Sequence, residues 1–163
     1  MKRASQVYLA SSAAEGFDLI ETVELAERHD FDGVQLYISE PFVSERYLDR
    51  LLRVIERAGV GVLVHLPDVY TPVLEEPVKR LLAGVNPKRV LIHYREGMPI
   101  PSIKGVKTGL ENAVFGFERG YYDRLLETVR GGGYFWAFDL PRLLGEIPGD
   151  RGKIHRYMVH LFD

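Results

Sequence analysis

Two rhythms of apolar residues alternate along the chain. Short, nearly continuous apolar runs at Gln6–Ala10, Gly33–Ile38, Val60–His65, Lys88–His93, Gly105–Glu111, Tyr134–Asp139 and Lys153–Phe162 predict seven strands. Segments with helical spacing lie between them. In Glu15–His29, Phe17, Ile20, Val23, Leu25 and Ala26 recur at roughly helical spacing among acidic residues and Arg28. Ser44 reads as the N-cap of a helix through Ala58, with Tyr47, Leu48, Leu51, Leu52, Val54 and Ile55 as its buried stripe and Gly59 as its stop. Further helices are predicted over Val73–Ala83, Glu118–Arg130 and, more briefly, Pro141–Gly145. A loop rich in Pro and Gly, Arg95–Ile103, stands where another helix would be expected. Strands that are apolar on both faces and joined by helices predict an α/β fold with a parallel sheet, either an open doubly wound sheet or a (β/α) barrel.

Composition narrows the chemistry. The chain has 163 residues, 46% of them hydrophobic and 27% charged, with no linker or low-complexity tract, which predicts one domain over residues 1–163. A formal net charge of −2 gives no general field for gripping nucleic acid or an anionic membrane, so neither is an expected partner. Zero cysteines exclude disulfides, thiolate nucleophiles and cysteine-ligated metals, leaving His, Asp and Glu as the ordinary metal ligands. No apolar stretch approaches the roughly 18 residues of a membrane span, and no leader precedes the patterned sequence, so a cytoplasmic location is expected.

Candidate chemistry gathers at the strand ends. His65 closes the third strand, His93 the fourth, Glu111 the fifth, Asp139 the sixth, and His160 lies near the end of the seventh. Carboxyl ends of parallel strands are where ligands bind in α/β folds. Two residues before each of these sit Leu63, Leu91, Gly109, Ala137 and Met158, which the pleat turns the same way as a small or apolar floor. Histidines with carboxylates suit a divalent metal such as zinc or manganese without choosing between them. Taken singly, each residue reads as a loop-satisfying hydrogen bonder; the ordered set points to a site. Tyr70, Tyr94 and Arg95 follow two of the histidines and are candidates to line a pocket, and Arg142 is a fixed cation suited to phosphate or carboxylate. Gly131-Gly132-Gly133 follows a helix, the wrong order for a phosphate loop, and reads as a helix stop and turn.

Six segments in order, Gly33-Val34-Gln35-Leu36, Val64-His65-Leu66-Pro67, Leu91-Ile92-His93-Tyr94, Gly109-Leu110-Glu111-Asn112-Ala113, Phe138-Asp139-Leu140-Pro141 and Val159-His160-Leu161-Phe162-Asp163, resemble the strand ends of the xylose isomerase-like TIM barrels. That superfamily contains sugar and sugar-phosphate isomerases and epimerases, and the endonuclease IV group. The resemblance implies a TIM-barrel-like sheet, shortened to about seven strands, with metal on Glu111, Asp139 and His160 and with Glu111 as acid/base. His65 and His93 match histidines that contact substrate in the isomerases, where His65 would assist catalysis, or bind metal in the nucleases. Gln35 stands where the family commonly has Glu, and Arg142 where it has His; with His93 and Tyr94 they would bind substrate. The family's eighth-strand Glu has no counterpart here.

The resulting expectation is a divalent-metal-dependent isomerase or epimerase acting on a small sugar or sugar phosphate. The alternatives are a metal-dependent phosphodiesterase of the endonuclease IV kind and a non-catalytic relative that binds a small ligand. An open sheet edge would favour a homo-oligomer that covers it.

Overall fold

A computed structural model describes residues 7–11, 18–39, 44–68, 72–113 and 118–138. In chain order the elements are β1 (Tyr8–Ala10), α1 (Leu19–Arg28), β2 (Gly33–Tyr37), α2 (Glu45–Ala58), β3 (Gly61–His65), α3 (Pro72–Val85), β4 (Arg89–Tyr94), β5 (Lys107–Asn112), α4 (Arg119–Gly132) and β6 (Phe135–Ala137). The predicted seventh strand and the short helix over 141–145 lie outside the described residues. Six strands form one sheet in the order β1-β2-β3-β4-β5-β6, and β1–β2, β2–β3, β3–β4 and β5–β6 are parallel. An order that never reverses is a singly wound sheet. Among the described residues it lacks the switch point of the doubly wound alternative and has the strand sequence of a barrel-like α/β fold.

The described residues fall into two compact units: those up to Ile92 with Ser102–Thr108, and His93–Pro101 with those from Gly109 onward. In the first unit, α1 starts at Leu19 rather than Glu15. Asp18 caps it, accepting from the Glu21 backbone N–H at 2.7 Å, while the Glu21 side chain reaches back to the Asp18 N–H to complete a capping box. α2 follows its predicted bounds. The Ser44 hydroxyl accepts from the Tyr47 N–H, and Gly59, at φ 63°, turns into the left-handed region that ends the helix. Leu48, Leu51 and Ile55 fall on one face and are buried, as are Leu19, Ile20, Val23 and Ala26 of α1. α3 opens on Pro72, where a missing N–H costs nothing, and carries Pro77 inside.

Beneath these helices Tyr8, Gly33 and Gly61 sit side by side in register on three strands. A Cβ on Gly33 would run into the Gly61 carbonyl and the Tyr8 ring, so the tyrosine packs over backbone where two side chains are missing. Further along, Leu66 N–H donates to the Leu91 carbonyl at 2.8 Å, and Ile38 N–H to the His65 carbonyl at 3.1 Å. The backbone on both sides of the β3 terminus is therefore tied down.

In the second unit, β5 and β6 pair with Gly109 beside Phe135, Leu110 beside Trp136 and Glu111 beside Ala137. α4 outruns its predicted end at Arg130 and stops at Gly133, which takes φ 70°. Residues 95–106 hold no helix, as the Pro and Gly content predicts, but β5 begins at Lys107 instead of Gly105. Gly105 has φ 80°, a turn conformation that a strand does not accept.

Candidate metal centre

The pleat of β2 and β3 turns Gln35, Tyr37, Leu63 and His65 to one face, because side chains two apart along a strand share a side. Register sets Gln35 level with Leu63 and Tyr37 level with His65. From there the Gln35 amide reaches up to His65, with Nε2 3.2 Å from Nδ1. The Tyr37 ring stands edge-on to the imidazole, 5.2 Å between centroids at 89°. His65 is buried, held by an amide on one side and an aromatic ring on the other.

On β4 and β5 the equivalent positions are His93 and Glu111. His93 Nε2 lies 3.4 Å from Glu111 Oε2, and the two side chains are only 7% and 12% exposed. A carboxylate this deep must be met by a proton donor or a cation. Beside it on β6 the partner residue is Ala137, which leaves the carboxylate uncrowded from that strand.

His65, His93 and Glu111 are thus inward-set residues at their strand ends, and histidine and carboxylate are ordinary protein ligands of a metal ion. Two neutral imidazoles and one carboxylate form a donor set of the kind used for zinc and related divalent ions, with one net negative charge to offset the cation.

Of the residues singled out from the sequence, His93 comes together with Glu111, and His65 with Gln35. Gln35 is in contact with His65, its amide against the imidazole. Tyr94 follows His93 and therefore faces the other way, into the helix layer, where its hydroxyl meets Thr128 of α4 at 3.1 Å. Its burial there departs from the expected place in a pocket lining. Asp139, Arg142 and His160, together with Tyr70, lie outside the described residues. One residue escaped the sequence reading altogether: Tyr121 in the first turn of α4. Its hydroxyl donates to the Tyr94 carbonyl at 2.9 Å and accepts from the Ala113 N–H at 2.8 Å. Two adjacent tyrosines at a helix start read only as packing, and nothing local shows that one of them bonds to two strand ends.

No family model matches the chain, and no curated protein matches it. Among solved structures, one described as "The crystal structure of AsfvAP:AG" superposes with a TM-score of 0.54, at 15% sequence identity, over 96% of this chain and 68% of that one. At that identity the likeness bears on the fold alone. Among the described residues no helix is long and apolar enough to cross a membrane.

Proposed function

We propose that this chain is a metal-dependent hydrolase of phosphate esters on a TIM-barrel-like scaffold, with His65, His93 and Glu111 as ligands of a divalent ion. The observation that carries this reading is the buried His93–Glu111 pair, 3.4 Å apart near the carboxyl ends of β4 and β5, with His65 buried at the end of β3. Asp139 and His160, which the resemblance matches to metal ligands, would add donors. A divalent ion held there supplies Lewis acidity toward a phosphoryl or carbonyl oxygen, or toward water. The chain's own residues supply the rest. His65 and His93 present neutral nitrogens, Glu111 supplies the counter-charge, and Gln35 holds the His65 ring. Phosphodiester is the substrate class that the resemblance to endonuclease IV relatives suggests. With a net charge of −2, any grip on a nucleic-acid backbone would have to come from a local patch.

The 3.4 Å His93–Glu111 contact favours a second reading, the sugar or sugar-phosphate isomerase. An imidazole paired with a carboxylate is an acid/base couple, and Glu111 would abstract a proton next to a carbonyl.

Metal analysis of the purified protein, alongside Glu111→Gln and His93→Ala, tests the shared premise. About one divalent ion per chain is expected in the wild type, with loss in both variants. Failure to bind zinc, manganese or cobalt at micromolar concentration would overturn both readings. Metal-dependent cleavage of bis(p-nitrophenyl) phosphate then supports the hydrolase, whereas exchange of solvent deuterium into ketose phosphates without that cleavage supports the isomerase.

A further inference from the structure

We infer that Tyr121 is a positioning residue that fixes the His93–Glu111 pair by strapping the ends of β4 and β5 together. The inference rests on the metal-centre reading for its consequence, but its geometry is independent of it. Strand pairing controls the backbone only as far as the ladder runs, and beyond the last rung the peptide groups need other partners. Tyr94 is one residue past His93, and Ala113 is two past Glu111. The phenol of Tyr121 uses its single proton on the Tyr94 carbonyl, at 2.9 Å, and a lone pair on the Ala113 N–H, at 2.8 Å. One oxygen thus bridges the two chain segments that carry the pair.

The strap is itself held. Tyr121 is buried, its ring lies 5.7 Å from that of Tyr94 at 54°, and the Tyr122 ring meets it edge-on at 5.2 Å. A ring so enclosed on a helix cannot swing to follow a drifting strand end, so its hydroxyl acts as a fixed reference for both peptides. Metal donors must sit within about 0.2 Å of their ideal distances. Drift of a few tenths of an ångström at the Tyr94 or Ala113 peptide therefore reaches the ligand set directly.

The test compares Tyr121→Phe with Thr128→Val in the full chain. Thr128→Val removes the partner of the Tyr94 hydroxyl on the same helix but leaves the strap, so it controls for general loosening of α4. Two readouts are used: Co(II) titration followed by its visible d–d bands, and the His93 ring signals in the metal-free protein by ¹⁵N-histidine NMR. Tyr121→Phe should weaken Co(II) binding by roughly 10- to 100-fold, the usual effect of losing a supporting partner, with altered d–d bands and displaced His93 ring signals. Thr128→Val should leave affinity within about two-fold. Equal effects from the two variants, or wild-type behaviour of Tyr121→Phe in both readouts, would overturn the inference. If the wild type binds no Co(II), the metal reading fails while the His93 signals still decide the strap: displaced in Tyr121→Phe alone upholds it, and unmoved overturns it. Should Tyr121→Phe not fold, hydrogen exchange in the wild type decides. An Ala113 amide as protected as the interior amides of β5 supports the strap, and exchange at an unprotected rate refutes it.

Discussion

His65 can serve as a ligand through Nε2 only if its proton sits on Nδ1, and Nδ1 is the atom that Gln35 contacts. The structure sets the amide Nε2 at Nδ1, and a half turn about the last torsion brings Oε1 to Nδ1–H instead and leaves the His65 Nε2 lone pair for a metal. The same logic runs through metal sites generally, where the partner of the second ring nitrogen fixes tautomer and ring angle. Gln35→Leu should therefore lower zinc affinity by roughly 10- to 100-fold. Gln35→Glu, which can only accept while ionised, should keep or raise it. Competition against a chromophoric chelator measures both; Gln35→Leu binding as tightly as wild type would remove the orienting role. At this scale the sequence was informative about which side chains carry chemistry and blind to how they pair. Gln35 and His65 are 30 residues apart, and only strand register makes them neighbours.

Helix α1 shows how one element is held by another. Its first N–H groups have no partner within the helix. Asp18 and Glu21 answer locally, and Tyr47 of α2 answers from 28 residues away, its hydroxyl accepting from Leu19 N–H at 3.0 Å and Ile20 N–H at 3.3 Å. Burial disfavours the phenolate and pushes the Tyr47 pKa up to about 12. An acid whose folded pKa is raised binds its proton more tightly folded than unfolded. Stability from this group is thus complete below the unfolded tyrosine pKa of about 10 and is lost as pH climbs from there to about 12. Tyr47→Phe should cost about 1–2 kcal/mol at pH 8, and its stability should fall less than that of the wild type between pH 10 and 11, both read from urea unfolding. Another element contact is steric. Gly33→Ala places a methyl against the Gly61 carbonyl and the Tyr8 ring, and overpacking of this kind costs about 1–3 kcal/mol. An unchanged urea midpoint in that variant would show that the strands yield without penalty.

For the molecule as a whole, a ligand that binds only the folded chain adds stability by mass action. Zinc at 100 times its dissociation constant should raise the unfolding free energy by about 2.7 kcal/mol. Excess EDTA should return it to the metal-free value, and Glu111→Gln should show no zinc-dependent gain; thermal or urea unfolding with and without zinc checks both. Strand order matters at the same scale. Sequential pairing through β1-β2-β3-β4-β5-β6 means each connection, helical or not, advances one strand in the same direction.

The sequence by itself determined the elements and the chemistry at their ends. Apolar periodicity marks the strands and helices because each must bury one face or both. Cysteine-free composition confines metal ligation to His, Asp and Glu, and the ends of the third, fourth and fifth strands carry His65, His93 and Glu111. Exact boundaries slipped where conformation overrode pattern, as at Gly105 with φ 80° and at the Asp18 cap. Tertiary structure alone decided what each side chain meets. β4 continues one residue beyond its predicted end, to Tyr94, and the two-residue pleat turns that ring toward α4 while His93 turns toward Glu111. Register brings Gln35 to His65, and the packing of α4 brings the Tyr121 hydroxyl to the peptides at two strand ends. These contacts join residues far apart in sequence through hydrogen bonds a few ångströms long, and no local pattern encodes a distance of that kind.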